Sequence, residues 1–252
     1  MEDASVTFER LTDIGADAPV LIEGFPGFGL VAAIAVDQIT TQLGLEHHGN
    51  LVSEAFPPVL SHRDGRARDM IRVYGDADHD VMTLQSDVTL PPHAFSALSQ
   101  CVYEDLAAEF DRAIFLAGAP ARNEDELGEI EAIATTDTME AELRSHGIEL
   151  ADGAGLVGGI MGALATDCYH YDVPAAVLVV RADPYIPDPG AARSVIENGL
   201  EPLVSFDIDT TELAEQSNQI QQQMQQIAEQ YRQMLEADSP DQQVDTAMMG
   251  IQ

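Results

Sequence analysis

Apolar residues fall along this chain in two alternating patterns, short continuous runs and recurrences at every third or fourth position. Continuous runs are typical of strands buried on both faces of a sheet, whereas helical spacing indicates helices that cover a sheet. A clear helical stretch joins Phe95 to Phe110 through Leu98, Val102 and Leu106. The predicted strands are 20–22, 51–54, 71–74, 80–86, 113–118, 129–135 and 175–182. Their alternation with helices predicts an α/β fold, a three-layer α/β/α sandwich with a mixed sheet.

A glycine-rich turn follows the first predicted strand and precedes a helix. The turn consists of Gly24, Phe25, Pro26, Gly27, Phe28 and Gly29. Glycine lets another backbone come close, so we expect the turn to bring the helix start against the sheet. Its G-x-x-G-x-G spacing differs from the dinucleotide fingerprint, and no Gly-Lys-Ser/Thr follows as in a phosphate loop. We therefore favour a packing role for these glycines, with an anion bound at the helix start as the alternative.

The C-terminal part of the chain has a different periodicity. Apolar positions recur there every seven residues, with a second set four residues after the first, which is a coiled-coil-like seam. The seam residues are Leu213, Ser217, Ile220, Met224, Ile227, Tyr231 and Met234. Because the stripe is narrow and its flanks are rich in glutamine, we predict that 209–237 is an amphipathic helix joining subunits of a homo-oligomer, with packing on its own domain as the alternative. Residues 1–208 are predicted to form the α/β domain, and 238–252 a disordered tail.

The charge of the chain is far from average. The 252 residues include 44 acidic residues and 11 arginines but no lysine, which gives a formal net charge of −33. Such a surface repels phosphate backbones, so nucleic acid is not a predicted partner. Extreme acidity without lysine is most simply interpreted as adaptation to a salty cytoplasm, because carboxylates stay hydrated and repel neighbouring molecules at high ionic strength.

We expect the melting temperature to rise between millimolar and molar KCl. Repulsion among carboxylates acts over about 30 Å at 0.01 M salt but over only about 3 Å at 1 M. Thermal unfolding followed by circular dichroism at the two salt concentrations measures the shift. An unchanged melting temperature would contradict the halophilic interpretation.

The cysteines and the N-terminal sequence predict the cellular compartment of the protein. Cys101 and Cys168 lie in apolar helical sequence without a paired spacing, so they are predicted to be free, buried thiols of an intracellular protein. The N-terminus lacks an apolar signal segment, and no apolar run approaches the length of a membrane span. The sequence therefore predicts a cytoplasmic protein that is not attached to a membrane.

Sequence patterns of known catalytic sites are missing. The adjacent His47 and His48 have no zinc-site spacing, no G-x-S-x-G elbow occurs, and apolar surroundings raise rather than lower a thiol pKa. The one concentration of cations contains Arg63, Arg66, Arg68 and Arg72. We interpret it as a solvated loop, with an anion-binding or subunit-contacting loop as the alternative. No metal and no cofactor is predicted, and a non-enzymatic protein is favoured over an enzyme.

Three segments, taken in order, resemble the proteasome assembly chaperone family. The first is the turn at 24–29, which with Leu30 and Val31 has the family's form G-F-P-G-x-G-x-V. The second is the glycine-rich stretch 153–164, which looks like the family's second strand-to-helix junction. The third is the strand at 175–182 with the Asp- and Pro-containing turn and Ala-rich helix at 183–192. The resemblance covers about residues 15–215, and the acidic composition makes the chain similar to a haloarchaeal member.

The resemblance implies a fold and a function. The implied fold is akin to that of the nucleoside phosphorylases, and the implied function is non-enzymatic contact with protein partners, proteasome subunits among them, as a homo-oligomer. Family members that bind the proteasome α-ring do so through a terminal hydrophobic-Tyr-any tripeptide, and the end Gly250-Ile251-Gln252 does not match it. The alternative is a ligand-binding protein or enzyme on the same fold, acting on a small nucleoside or carboxylate at the turn and the arginine loop.

Overall fold

An eight-stranded sheet forms the centre of the computed structural model, which describes residues 5–17 and 19–237, with the backbone alone at 224, 225 and 227–237. The strands are β1 (Thr7–Arg10), β2 (Val20–Gly24), β3 (Glu46–Val52), β4 (Ser61–Arg63), β5 (Arg66–Arg68), β6 (Ile71–Asp76), β7 (Val81–Ser86), β8 (Arg112–Pro120), β9 (Ile130–Ala134) and β10 (Ala175–Ala182). The helices are α1 (Val31–Gln42), α2 (Phe95–Cys101), α3 (Asp137–Ser145), α4 (Gly159–His170), α5 (Pro189–Ser194) and α6 (Thr211–Ala237). Strands β4 and β5 form a separate hairpin.

The strand order is β1-β3-β6-β7-β2-β8-β10-β9, and its four inner strands β7, β2, β8 and β10 run parallel. Ile22 of β2 lies opposite Thr83 on one side and Ile114 on the other. The outer strands pair antiparallel, so the sheet is mixed as predicted. The continuous apolar runs identify the inner strands because helices cover both of their faces.

The helices form the two outer layers. Helices α1, α3 and α5 contribute to the core on one face, with residues such as Val36, Leu143 and Ala192. Helices α2 and α4 contribute to the core on the other face, where Leu98 and Leu164 are buried. The predicted three-layer α/β/α architecture is therefore confirmed.

The hydrophobic pattern of the sequence did not predict several elements of the fold. Strand β1 is a mostly exposed edge strand, and α3 buries only Met139 and Leu143. The stretch containing Arg63 and Arg66, interpreted as a loop, is the β4–β5 hairpin, whose turn places Asp64 and Gly65 at positive φ. The stretch 153–164, which resembles a strand-to-helix junction in sequence, is irregular up to residue 158, and α4 begins at Gly159.

The C-terminal helix begins at Thr211, whose N–H donates a hydrogen bond of 2.9 Å to the Asp209 carboxylate. Leu213 is buried in the core of its own chain, and Ser217 faces Gly190 of α5. The prediction that Leu213 contacts another subunit is therefore corrected, because the first turns of α6 pack on the α/β domain. The predicted disordered tail, 238–252, lies outside the described residues.

Among the helices that the structure describes, none is both long and apolar enough to cross a bilayer.

Candidate binding site at the carboxyl edge of the parallel strands

The three family-like segments meet at one edge of the sheet. The turn 24–29 follows β2, the segment 183–188 follows β10, and the irregular stretch before α4 lies beside them. The Asp188 N–H donates a hydrogen bond of 2.8 Å to the Gly29 carbonyl, which ties the first segment to the third. Because the inner strands are parallel, their carboxyl ends share this edge, where open α/β sheets commonly bind ligands.

The glycines of the turn differ in what they do. A Cβ on Gly24 would lie 2.5 Å from the Val36 Cβ, so α1 packs directly against the end of β2. Gly29 has a φ of +62° and would bring a Cβ to 3.0 Å from the Ala182 Cβ. Gly27, in contrast, has an extended φ of −143°, and beyond its chain neighbours no atom of the described residues lies within 4 Å of an added Cβ. Close packing therefore requires glycine at Gly24 and Gly29 but not at Gly27.

Replacing Gly29 with valine is expected to lower the free energy of unfolding by about 1–3 kcal/mol, because a β-branched side chain is strained at this φ and crowded by Ala182. The matched control Gly27→Val should change it by less than about 0.5 kcal/mol, because valine fits extended backbone and open space. Urea unfolding in molar KCl measures both variants. Equal losses in the two would contradict the distinction between the glycines.

The turn opens onto a cavity of about 450 Å³ that lies over the same edge. Its walls are mainly apolar and come from the turn, from β8, from α2 and from the start of α4. The wall residues include Phe25, Phe28, Leu90, Phe95, Leu116 and Ile160. Of the described side chains that line the cavity, only that of Glu23 can ionise. The cavity therefore combines an apolar interior with a single carboxyl group.

Glu23 is fully buried on the central strand. It lies on the same face of β2 as Leu21 and Phe25, the face that α2 and α4 cover. Its Oε1 accepts a hydrogen bond of 2.8 Å from the Phe25 N–H, and its Oε2 has no partner among the described residues. Burial raises the pKa of the Glu23 carboxyl to about 8. At neutral pH the group is therefore a neutral acid.

The sequence analysis did not single out Glu23. The available signal was an acidic residue inside the apolar strand Val20–Gly24, all five residues of which are buried. An acidic side chain is almost never fully buried without a partner. The interruption of an apolar run by one carboxyl group could therefore have marked this position.

Two residues of the arginine cluster lie beside the glycine turn, and three of its four arginines are paired with carboxylates. Arg63 and Arg72 line a groove that also contacts Gly24 and Pro26. Arg63 forms a 2.9 Å ion pair with Asp37, and both Arg68 and Arg72 pair with Asp87 at 2.7 Å. Within the described residues, Arg66 forms no ion pair, and it is exposed on the hairpin. Asp37 and Asp87 already engage three of the guanidinium groups, so the geometry favours a structural role for the cluster.

The surroundings of His47, His48 and the two cysteines indicate structural rather than catalytic roles. The His48 Nε2 lies 2.9 Å from a Glu109 oxygen, and His47 stacks on Tyr74 with ring centroids 4.9 Å apart. Both cysteines are free and buried, and desolvation raises the pKa of each thiol to about 12. In the part of the chain that the structure describes, no three His, Cys, Asp or Glu side chains are placed to hold a metal ion.

Exposed apolar side chains line the cavity and a neighbouring depression that shares Phe28 with it. Leu156 is fully exposed on one side of it, and Phe28, also in its wall, is 52% exposed. Phe28 and Leu30 also line a second depression together with Tyr185, which is 92% exposed. We call Phe28, Leu30, Leu156 and Tyr185 the apolar rim. A group of exposed apolar side chains of this kind is typical of an interaction site in soluble proteins.

The seam residues of α6 are only partly described. Ile220 is half-buried on the described part of the helix. Of Met224, Ile227, Tyr231 and Met234 the structure describes the backbone alone, which continues as a helix to Ala237. The assembly role of these residues therefore stays a prediction.

Comparison with known proteins gives consistent matches over most of the chain. The model of the PAC2 family matches residues 21–228. An uncharacterized protein of Methanocaldococcus jannaschii is 25% identical over 231 residues, which are 92% of this chain and 94% of the relative. The crystal structure of Pyrococcus furiosus PbaA, described as an archaeal homolog of proteasome-assembly chaperone, superposes with a TM-score of 0.79 at 23% identity, covering 92% of this chain and 95% of PbaA. Pyrococcus furiosus PbaB, described as an archaeal proteasome activator, superposes with a TM-score of 0.75 at 19% identity. This match covers 89% of the present chain and 99% of PbaB.

Proposed function

The chain belongs to the PAC2 family, and we propose that it is a proteasome-assembly-chaperone-like protein that acts by contact with other proteins rather than by catalysis. The observation that supports this proposal best is the apolar rim. Four large apolar side chains are exposed together on family-like segments, and no catalytic arrangement of side chains is seen among the described residues around them. Exposure of such a surface lowers solubility unless a partner covers it.

The proposed partners are proteasome subunits. PbaA and PbaB, whose fold this chain has, are described as a chaperone homolog and a proteasome activator, which motivates the choice. We place the protein in the cytoplasm of a salt-adapted archaeon, in keeping with the acidic composition. A surface of charge −33 also favours partners that present a basic patch around an apolar centre.

The test is binding to purified proteasome α-subunits of the same organism in molar KCl. The variant Phe28→Ser/Leu156→Ser/Tyr185→Ser should bind at least about tenfold more weakly, because central apolar residues supply most of the affinity of an interface. Tyr169→Ser is the matched control: Tyr169 is 65% exposed but lies near the opposite end of α4 from the rim. Absence of binding by the parent protein, or equal binding by the rim variant, would refute the proposal.

We further propose that the seam of α6, from Ile220 onward, joins copies of the chain. Removal of 224–252 should leave a folded domain of smaller native mass, because Leu213 is retained while the later apolar seam positions are lost. A side chain of this kind contributes about 1.5–3 kcal/mol when fully buried, so the loss of several is enough to dissociate a modest interface.

Sedimentation in molar KCl measures the native mass of the truncated protein. Removal of 238–252 alone is the control and should leave the number of subunits unchanged. An oligomer that persists after removal of 224–252 would refute the assembly role of the helix.

A further inference from the structure

The cavity beside the glycine turn has the size of a ligand site. Its volume of about 450 Å³ lies within the range of small-molecule pockets, about 300–1,000 Å³. It is open at the apolar rim, and its floor lies at the carboxyl ends of β2 and β8, the central strands of the sheet. A partner protein bound at the apolar rim would not fill the interior of the cavity, which extends inward to Glu23.

The carboxyl group of Glu23 lacks an acceptor. Oε1 accepts the hydrogen bond from the Phe25 N–H. In the neutral acid the proton is therefore bound to Oε2. That O–H has no acceptor among the described residues, although the side chain is fully buried. A buried polar group without a partner is costly, and such a group in a cavity is usually satisfied by water or by a ligand.

The start of α4 supplies further donors to the same cavity. Gly159, Ile160 and Met161 line it, and in the part of the chain that the structure describes no side chain caps this helix end. The first N–H groups of a helix have no partner within the helix and carry partial positive charge. The protonated Glu23 carboxyl and the start of α4 therefore supply hydrogen-bond donors to the cavity, and these donors match an acceptor oxygen.

We propose that this cavity binds a small apolar molecule that carries a carbonyl oxygen, with the Glu23 Oε2–H as hydrogen-bond donor to that oxygen. The apolar walls hold the body of the ligand, and the amides at the start of α4 favour the same acceptor end. A cationic ligand is disfavoured, because it would require Glu23 to ionise in an apolar interior. The inference concerns the cavity alone and does not depend on the proposed chaperone function.

The probes are benzamide, benzoate and benzylamine, which share a ring and differ in the charge and hydrogen-bonding character of the head group. Titrations are followed in ¹H–¹⁵N spectra of the full chain in molar KCl, where shifts at the Gly118 and Gly159 amides locate binding to the cavity. At about pH 6 we expect benzamide to bind at least about tenfold more tightly than benzylamine. Comparison with benzoate tells whether the cavity prefers a neutral or an anionic ligand. The anion is attracted by the N-terminus of α4 but repelled by the negative net charge of the protein.

The pH dependence identifies Glu23 as the donor. Its pKa is about 8, so benzamide should bind at least about tenfold more weakly at about pH 9.5 than at about pH 6, because the ionised carboxylate cannot donate. Glu23→Gln keeps N–H donors and should remove the pH dependence while retaining the binding. Glu23→Leu should weaken binding at about pH 6 at least about tenfold. Glu149→Gln makes the same chemical change as Glu23→Gln on the exposed surface and should behave as the parent.

Three results would overturn the inference: preferred binding of benzylamine, binding by Glu23→Leu equal to that of the parent, or absence of shifts at the cavity amides with all three probes. Loss of proteasome contacts in the rim variant would leave the inference unaffected, since that variant keeps Glu23. The two proposals can therefore fail independently.

Discussion

Replacing Arg72 with methionine is expected to lower the free energy of unfolding by about 1–3 kcal/mol, the usual cost of leaving buried hydrogen-bond acceptors unsatisfied, because Asp87 is partly exposed and keeps its ion pair with Arg68. Arg72 is only 2% exposed and holds Asp87 through two hydrogen bonds of 2.7 and 2.8 Å. It also donates to the Tyr74 hydroxyl and to the Asp69 carbonyl. Methionine keeps much of the volume but satisfies none of these acceptors.

The electrostatics of Asp87 support this expectation. Burial acts to raise the pKa of the Asp87 carboxyl, but hydrogen bonds from Arg72 and Ser61 outweigh burial, and the pKa is lowered. A lowered pKa means that the carboxylate stabilises the folded state above its unfolded pKa. That stabilisation is lost as the pH falls through the folded value.

Arg63→Met is the matched control for Arg72→Met. Arg63 belongs to the same cluster and also forms an ion pair, but its side chain and that of Asp37 are about half exposed. Exposed pairs contribute about 0–1 kcal/mol, and molar salt screens them further. Urea unfolding of both variants in molar KCl compares them. A loss in Arg72→Met no larger than in Arg63→Met would show that burial of this arginine does not matter for stability.

Replacing Glu23 with glutamine is expected to stabilise the protein by about 2–3 kcal/mol at pH 7. Folding transfers a carboxyl group whose ordinary pKa is 4.5 into a site where burial raises the pKa to about 8. At pH 7 the unfolded chain has released the proton that the folded chain retains, which costs about 3 kcal/mol. Glutamine avoids this cost and still offers an oxygen to the Phe25 N–H, although its N–H₂ group needs an acceptor.

The same substitution should change how stability depends on pH. A raised folded pKa means that Glu23 imposes no cost below pH 4.5 and a cost that grows between there and about pH 8. Over that interval the parent loses about 1.4 kcal/mol per pH unit from this group, and the variant does not. Unfolding free energies of the two proteins at several pH values measure the difference. Parallel curves would mean that Glu23 is ionised in the folded protein at neutral pH.

These two substitutions separate stability from function at one edge of the sheet. Arg72 supports the fold beside the glycine turn, whereas Glu23 weakens it. A group that costs stability at neutral pH is characteristic of functional sites. The stability cost of Glu23 is therefore consistent with a role for the cavity that packing alone does not explain.

The predicted family, fold class and inner strands were readable from the sequence. The turn beginning at Gly24 and the two later glycine- and alanine-rich segments placed the chain in its family, which the PAC2 match confirms. The runs 20–22, 113–118 and 175–182 became the buried parallel strands because covering both faces of a strand makes it continuously apolar. Free, buried Cys101 and Cys168 followed from their apolar surroundings in the same way.

Short exposed elements were not readable. The β4–β5 hairpin and α3 bury few side chains, so hydrophobic periodicity gives little sign of them. The assignment of Leu213 to a subunit contact failed for a related reason. A stripe at heptad spacing shows that one face of a helix is covered, but it does not show whether the cover is the same chain or another one.

The sequence by itself determined what depends on neighbouring residues: the period of each element, the buried strands, the glycine turn and the negative surface. The tertiary structure alone decided which distant groups meet. It placed Arg72 and Arg68 on Asp87, tied Gly29 to Asp188, and left the Glu23 Oε2, beside a cavity, without a partner among the described residues. These contacts depend on strand order and register, which bring together residues far apart in the chain and which local patterns do not encode.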